Sequence, residues 1–386
     1  MGERVVEWSN LPKELLPVIG KTLQARIDVI RFRSICTSWR SSIPPLREIS
    51  TVPLPFPFPT SSGSQAFLSQ SAIYRLEPPD ENPNPSTCSS KSWLVKVEES
   101  EHGTVRLLNP LSSIHIRFLS DPLPKVINLL DFRVIEVSQA YRFQFSSDMH
   151  VPGMNKLVLF PNSAWNTSVE DTLIFVLFHE GKLGFVKYGD ENWTLVDDHN
   201  FYYDDIIVYK GQVYAVDRWG TVPWIDSSMK LIQFSPPLCG LGNQKHLVES
   251  CGEIYVVDRY FDRERRRWYL DENINRNNHN LNNYRVHPNT VDFKVYKLDQ
   301  EWGCWVMVKD LGDRVFVLGN DCSFLVSARE FSGCEGNCIY FTDKNDIGVF
   351  YLENQRIGKK LDFKDRCHIF WPLPSWLSSN LHSSKC

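Results

Sequence analysis

A repeat of about forty residues is the feature that most narrows the folds open to this chain. The stretch GQVYAVDR (211–218) returns as GEIYVVDR (252–259), a shift of 41 residues (252 minus 211), and more weakly as GNCIYFTD (336–343). A unit of this length holds four short strands, which is the size of one β-propeller blade. Because a blade cannot bury both of its faces alone, the repeat predicts neighbouring blades stacked around a common axis.

A second echo favours the same all-β architecture. FVKYGDENWTLVDD (185–198) and VYKLDQEWGCWVMVKD (295–310) each contain a strand, an acidic turn, a tryptophan and a second strand. Short β-like runs continue from Trp93, and the roughly 290 residues from there predict six or seven blades. We interpret the aromatic residues at equivalent repeat positions as blade-packing rather than ligand-binding residues: Tyr214, Tyr255, Trp193 and Trp305.

The N-terminal segment has a helical pattern instead. In DVIRFRSICTSWRSS (28–42), apolar residues recur at i, i+3 and i+4 steps, which predicts one helix capped by Asp28. Upstream, SNLPKELLPVIG (9–20) predicts a helix that Pro17 bends, and a short helical segment follows around Leu23. About forty residues are too few to bury these apolar stripes, so the unit needs the rest of the chain or a partner.

Composition argues against several classes of protein. Hydrophobic residues make up 42% of the 386, enough for a sizeable core, and the net charge of −4 gives no support for a nucleic-acid partner. The 10 cysteines are scattered, which is typical of a reduced, intracellular protein of the nucleus or cytoplasm. The most lipid-like run, TLIFVLF (172–178), is far shorter than the ~20 residues of a membrane span, so no membrane partner is expected.

The N-terminal residues carry a resemblance to a known family. The order LPKELLPVIGKTL followed by DVIRFRSICTSWR resembles an F-box. In that family the apolar face packs against the Skp adaptor subunit of SCF ubiquitin ligases. The resemblance implies that the following residues contact the adaptor or hold the helices that do: Leu11, Pro12, Leu15, Ile19, Leu23, Ile35, Cys36 and Trp39. The alternative is that they form only the unit's own core. Pro17 departs from the pattern and is expected to weaken adaptor binding.

The resemblance extends over nearly the whole chain. RLLNPLS (106–112), HLVESCGEIYVVD (246–258) and WPLPSWL (371–377) are similar to plant F-box proteins of the Skp-interacting-partner kind, whose C-terminal region is a kelch-like propeller. The expected organisation is a small all-α F-box at 1–48, a Pro/Ser-rich linker with a short strand at 49–92, and an all-β, kelch-like β-propeller at 93–386. Residues 263–290 are expected to form an Asn-rich inserted loop.

This resemblance implies a non-catalytic substrate-recognition adaptor. Its F-box would bind the Skp adaptor, and through it the cullin, while the propeller captures an unknown protein target for ubiquitination. No catalytic residue, cofactor or metal is expected, because CEGNC (334–338), with Cys367 and His368, lacks the second pair of a zinc site. Two alternatives stay open. One is a propeller enzyme or carbohydrate-binding protein with acids or aromatics at the axis, and the other is an F-box protein acting outside the ligase.

Overall fold

A computed structural model describes most of the chain. The described residues are 8, 11–23, 25–44, 53–55, 66–77, 92–99, 105–111, 132–145, 154–161, 172–179, 181–199, 202–262, 288–331, 334–343 and 346–358. Residues 263–287 of the inserted loop predicted at 263–290, and the WPLPSWL stretch, lie outside them. No helix in these ranges is long and apolar enough to cross a membrane.

Three short helices come first: α1 (Leu15–Lys21), α2 (Arg26–Ser34) and α3 (Thr37–Ser42). The predicted single helix over 28–42 is wrong, because the backbone of Cys36 is extended (φ −162°, ψ 176°) and separates α2 from α3. The residue that caps α2 is Ala25 rather than Asp28, which lies in the first turn. Pro17 is the third residue of α1, where its N–H would have no helical partner, so it costs no hydrogen bond within the helix.

The first sheet has nine strands and divides into two parts. Its strands are β1 (Pro53–Leu54), β2 (Ala66–Glu77), β3 (Trp93–Glu99), β4 (Val105–Leu108), β5 (Arg133–Phe145), β6 (Met154–Phe160), β7 (Leu173–Phe178), β8 (Lys182–Lys187) and β9 (Thr194–Leu195). Their order is β4-β3-β2-β5-β6-β7-β8-β9, with β1 paired to β2. A single residue pair, Tyr141 and Leu157, joins β5 to β6. The sheet therefore consists of group 1 (β1–β5) and group 2 (β6–β9).

Three further sheets follow in chain order. Group 3 contains β10 (Tyr203–Tyr209), β11 (Gln212–Asp217), β12 (Pro223–Ile225) and β13 (Leu231–Gln233). Group 4 contains β14 (Gln244–Ser250), β15 (Glu253–Phe261), β16 (Thr290–Asp299) and β17 (Cys304–Val308). Group 5 contains β18 (Arg314–Leu318), β19 (Ser323–Ser327), β20 (Cys338–Asp343), β21 (Asp346–Tyr351) and β22 (Arg356–Ile357), and its β18 and β20 are parallel.

Five apolar clusters close these groups into a ring. One cluster packs group 1 on group 2, and the next three join groups 2 and 3, 3 and 4, and 4 and 5. The fifth joins group 5 back to group 1, where Val315 and Val317 share a core with Ile73 and Leu94. The described residues thus form a five-membered ring, not the six or seven blades predicted. The 41-residue shift holds for groups 3 and 4, whereas other groups have longer strands and connections.

The ring also begins earlier than predicted. The 12-residue strand β2 pairs along its whole length with β5 and over six residues with β3. It lies inside the segment 49–92, for which the sequence predicts a linker with only a short strand. Its flanks at 53–59 and 78–86 are rich in proline, so only its centre has a clear strand pattern in the sequence.

The repeated segments occupy equivalent places in the ring. GQVYAVDR and GEIYVVDR contain β11 and the start of β15, the second strands of groups 3 and 4. Tyr214 and Tyr255 are buried at 9% and 4% exposure. Trp193 and Trp305 each donate the indole N–H to a proline carbonyl, of Pro55 and Pro236, at 2.8 Å in both cases. The prediction that these four aromatic residues pack the blades is confirmed.

Candidate functional site

A small apolar core holds the three helices together. Trp39 is 6% exposed, its ring centroid lies 4.5 Å from that of Phe32, and its indole N–H donates to the carbonyl of Trp8 at 3.1 Å. The buried members of this core are Leu16, Val29, Phe32, Trp39 and Ile43. The helical unit therefore has a core of its own, which is the role that the alternative interpretation gave to its apolar residues.

The eight residues predicted to bind the adaptor differ in exposure. Leu15 and Ile35 are each 49% exposed, and Pro12 is exposed as well. Trp39 lies in the core, and the remaining four are half-buried against it: Leu11, Ile19, Leu23 and Cys36. The helices thus gather one part of the set around their core and leave the other part at the surface.

Two further exposed apolar side chains, one on α1 and one on α2, were missed by the sequence prediction. Val18 is 61% exposed and Ile30 is 46% exposed. Val18 lies three residues after Leu15 on α1, so the two share a face, and this spacing could have identified it. Ile30 stands beside the buried Val29, and its neighbours give no such signal. Trp8, ahead of α1, is 60% exposed as well, whereas Leu15, Val18, Ile30 and Ile35 lie on or directly after α1 and α2.

Helix α2 also packs on the ring. The side chain of Ile27 is 8% exposed and belongs to a cluster with ring residues: Leu76, Trp93, Val95, Phe132 and Val134. The guanidinium of Arg31 donates to the carbonyl of Val134 at 2.7 Å, and the Ile27 N–H donates to the Glu136 carboxylate at 3.3 Å. The ring therefore covers one side of α2, while Ile30 on the same helix stays exposed.

The helical unit lies at one defined end of the ring. Tyr209, the last residue of β10, donates its hydroxyl to Gly252, just after β14, at 2.5 Å. Arg314, paired with the last residue of β19, contacts Ser250 at the end of β14. The Ser92 N–H, next to the Trp93 that touches α2, donates to the carbonyl of Glu330 after β19. The unit thus packs at the face where β10, β14 and β19 end, which we call the helical face.

A cavity of about 580 Å³ lies on the ring axis. Strands from all five groups line it: β5, β6, β10, β14 and β19. Ala25, which precedes α2, also lines the cavity, so the helical unit contributes to its wall. Its lining mixes aliphatic side chains with carboxyl, amide and hydroxyl groups, which is the composition of a site for a small polar molecule.

Three β-bulges interrupt the pairing of strands that line this cavity. The pairing of β5 with β2 skips Val137, that of β6 with β7 skips Asn155, and that of β10 with β11 skips Asp204. A bulge re-aims the side chains beside it and is frequent next to functional sites. Immediately beside these bulges, Lys156 forms an ion pair with Asp205 at 2.6 Å, across the boundary of groups 2 and 3.

Carboxyl groups do converge on the axis, as an axial binding or catalytic site would require. Glu136, Glu249 and Asp321 all line the cavity. Asp321 is held by the buried Lys96, whose ammonium lies 2.7 and 2.6 Å from its two oxygens. Burial raises the pKa of Glu136 above its usual value, although hydrogen bonds from Gln139 and Ile27 and the charge of Arg26 oppose the shift.

The raised pKa of Glu136 predicts a pH-dependent stability. The folded protein holds this proton more tightly than the unfolded chain, so the stabilisation is complete below the unfolded pKa and is lost as pH rises through the folded pKa. We expect the free energy of unfolding of wild type, relative to Glu136→Gln, to fall over that interval. Urea titrations at several pH values measure the difference. Glu301→Gln, at an exposed turn, is the control, and parallel curves for wild type and Glu136→Gln would contradict the prediction.

One group of potential metal ligands occurs in the described part of the chain. Ligand atoms of Asp197, Asp198 and His199 lie within 4.8 Å of one another; Asp197 is half-buried, and Asp198 and His199 are exposed. Asp197 already accepts hydrogen bonds from the Tyr203 hydroxyl at 3.0 Å and from the His199 N–H at 2.9 Å. These bonds account for the arrangement of the three side chains without a metal.

Comparison with known proteins agrees with the ring. The family model described as KIB1-4 beta-propeller matches residues 65–351, and the chain belongs to this family. The match starts 28 residues before the predicted domain start (93 minus 65) and coincides with β2. Among solved structures, a computationally designed protein, Ika8, aligns with 70% of this chain at 10% identity and a TM-score of 0.23.

Curated relatives cover nearly the whole chain. Three of them, all from Arabidopsis thaliana, are the F-box protein SKIP23 (31% identical), the F-box protein At4g35733 (33%) and the F-box protein At2g17036 (30%). The alignments cover 97%, 94% and 98% of this chain and 97%, 96% and 96% of the relatives. The predicted resemblance to plant F-box proteins with a β-propeller is confirmed.

Proposed function

We propose that this chain is the substrate-recognition subunit of an SCF-type ubiquitin ligase. Its helical unit, residues 1–48, binds the Skp adaptor and through it the cullin, and its propeller, which we take to be of the kelch-like type, captures a target protein. The observation that carries the proposal is the exposure of Leu15, Val18, Ile30 and Ile35 on helices whose own core is complete. The F-box names of full-length relatives support it.

The eight predicted residues take two roles in this proposal. Leu15, Ile35 and Pro12 contact the adaptor directly, together with Val18 and Ile30. The others shape the surface from beneath: Leu11, Ile19, Leu23, Cys36 and Trp39. Trp39 is the one fully buried member, so it supports the surface rather than touching the partner.

The contribution of the chain to ubiquitin transfer is proximity. A captured target is held near the ubiquitin-loaded enzyme at an effective concentration that is about millimolar for short tethers. No side chain of this chain needs to transfer a proton, so the subunit is non-catalytic. We place it in the nucleus or cytoplasm, where SCF ligases work.

Measurements of adaptor binding distinguish residues that contact the adaptor from residues that support the surface. We expect Leu15→Asp with Ile35→Asp to reduce binding of a purified Skp adaptor at least tenfold without changing the melting temperature, because both side chains are half-exposed. Trp39→Ala is expected to lose binding together with helical structure, since removing a buried tryptophan leaves a large cavity. Pull-down and calorimetric titration of the full chain measure binding, and circular dichroism measures folding.

The control for these variants is Leu241→Asp, which changes an apolar side chain of the ring that is 88% exposed. It is expected to bind the adaptor like wild type. Full binding by the Leu15→Asp, Ile35→Asp variant would overturn the proposed surface. Failure of the intact chain to bind would overturn the proposed function and return the propeller enzyme or carbohydrate-binding alternative to first place.

Docking of α2 on the ring is tested by a separate change. Ile27→Asp places a carboxylate in the cluster that joins α2 to β5, while the helical core does not include this residue. We expect the helical unit to detach, with faster proteolysis at residues 24–26, while adaptor affinity stays within threefold of wild type. Ile30→Asp on the exposed side of α2 is the control for proteolysis. Unchanged cleavage of the Ile27 variant would show that the docking contact is dispensable.

A further inference from the structure

The axial cavity has hydrogen-bonding groups that the described residues leave unused. Among them, the Ser323 hydroxyl and the Glu249 carboxylate make no hydrogen bond, and the Ser138 hydroxyl makes only a long one, 3.4 Å, to the next carbonyl. All three residues line the cavity. Unused hydroxyl and carboxyl groups around one open cavity are what a ligand rich in hydroxyl groups requires.

Most of the charges around the cavity are already paired within the protein, Glu249 being the exception among the described residues. Lys156 pairs with Asp205 at 2.6 Å, and Asp321 pairs with Lys96 at 2.6 Å. The Glu136 carboxylate accepts hydrogen bonds from the Gln139 amide and the Ile27 N–H. The positive charge of Arg26 also favours its ionised form. The negative charge of Glu249 contributes to the raised pKa of Lys210. An ionic ligand would add an unmatched charge to a partly buried site, which is costly, whereas a neutral ligand would not.

The remainder of the wall suits the carbon face of such a ligand. Tyr141 and Phe324 are 5% and 4% exposed, and aliphatic residues such as Leu157 and Val158 lie beside them. Rings and aliphatic groups pack against C–H surfaces while polar groups fix the orientation of hydroxyls. The Tyr141 hydroxyl donates to Gln139 at 2.7 Å, and Gln139 donates to Glu136, so a relay of polar groups runs along β5 at the cavity.

From this geometry we propose that the axial cavity binds a neutral, polyhydroxylated small molecule of the size of a monosaccharide or cyclitol. The Ser138 and Ser323 hydroxyls donate and accept hydrogen bonds with its hydroxyl groups, and the Glu249 carboxylate accepts them. The volume of about 580 Å³ holds a ligand of this size together with water. The proposal concerns the ring alone and does not depend on adaptor binding.

Ligand binding is coupled to the helical unit through the same wall. Ala25 lines the cavity, and Glu136 accepts the N–H of Ile27 in the first turn of α2. An occupied cavity therefore fixes the wall that α2 rests on. We expect the ligand to slow hydrogen exchange of amides in the first turn of α2, a readout that requires no knowledge of the protein target.

The test uses the full chain with myo-inositol and D-glucose as probes, and with agmatine as a cationic comparison. Saturation-transfer NMR and calorimetric titration measure binding to wild type, to the double variant Ser138→Val, Ser323→Val, and to Glu301→Gln at an exposed turn. We expect saturable millimolar or tighter binding of at least one polyol, weakened at least tenfold in the double variant and unchanged in Glu301→Gln.

Three results would overturn the proposal. They are the absence of saturable binding for both polyols, equal binding by wild type and the double variant, and tighter binding of agmatine than of either polyol. A second double variant, Ser138→Ala with Ser323→Ala, removes the hydroxyls without adding bulk. Its melting temperature and circular dichroism are compared with those of wild type, so that loss of binding is not confused with unfolding. Adaptor binding measured on the same samples shows whether the proposed function stands independently.

Discussion

Replacing Lys245 with methionine is expected to lower the free energy of unfolding by about 3–5 kcal/mol. The Lys245 ammonium lies 2.6 Å from the carboxylate of Asp258, and both side chains are 0% exposed. It also donates to the carbonyl of Gly242 at 2.9 Å. Methionine fills the volume of the lysine side chain but leaves the Asp258 carboxylate buried without its partner. The desolvation of that unpaired charge then destabilises the folded state.

The chain offers a matched control for this effect. Lys297 and Glu253 form an ion pair at the same distance, 2.6 Å, but their side chains are 36% and 42% exposed. Lys297→Met is expected to cost less than about 1 kcal/mol, because water screens and replaces the lost partner. Urea titration of both variants at neutral pH measures the difference. Equal losses would show that burial does not set the strength of these pairs.

Gly240 and Gly242 pack tightly against the Asp258 carboxylate and leave no room for a side chain. A Cβ atom on Gly242 would lie 2.0 Å from an oxygen of Asp258, and one on Gly240 would lie 2.4 Å from the other oxygen. The Gly242 N–H donates to the same carboxylate at 3.2 Å. Adding Asp258→Asn to Lys245→Met is therefore expected to recover part of the lost stability, since it removes the charge and keeps the shape.

The second large effect is expected at the closure of the ring. Lys96 lies on β3 in group 1, and its partner Asp321 lies between β18 and β19 in group 5, so this pair joins the first and last groups. Lys96 is 0% exposed. We expect Lys96→Met to cost about 3 kcal/mol, at the lower end for a broken buried pair, because Arg142 stays 3.7 Å from Asp321.

Chemical unfolding again measures the loss, with hydrogen exchange to locate it. Protection is expected to fall first in β3 and β19, on the two sides of the closure, before it falls in groups 3 and 4. Lys245→Met is expected to give the opposite order, since its ion pair joins β14 to β15 within group 4. A uniform loss of protection in both variants would mean that the ring unfolds in one step. The contact between groups 1 and 5 would then not open at a lower free energy than the rest of the ring.

The sequence was informative where structure repeats locally. The similarity of 211–218 and 252–259 identified β11 and β15, and the recurring tryptophans identified Trp193 and Trp305 as blade-packing residues. These features depend on residues close in the chain or on equal positions in neighbouring groups. A pattern within one sequence can therefore reveal them.

Other features depend on pairing between distant segments. Strand β2 pairs with β5, about sixty residues further on, so the pattern around Ala72 could not show that its strand extends over 12 residues. The break at Cys36 depends on the packing of α3 against α1 and α2. The bulges at Val137, Asn155 and Asp204 depend on register, which local patterns do not specify. The cavity and its polar lining were therefore beyond prediction from sequence.

The anchoring of α2 on β5 has a consequence for the geometry of a ligase. A flexible connection between the helical unit and the ring would allow a bound target many orientations. Almost any of its lysines could then reach the ubiquitin carrier. Here a buried isoleucine and hydrogen bonds from Arg31 and Ile27 fix the helical unit to the ring. Under the proposed function the propeller acts as a rigid arm of constant length and direction. The ubiquitin carrier can then reach only those lysines that lie on one part of the target's surface. The position of a lysine therefore decides whether it is modified.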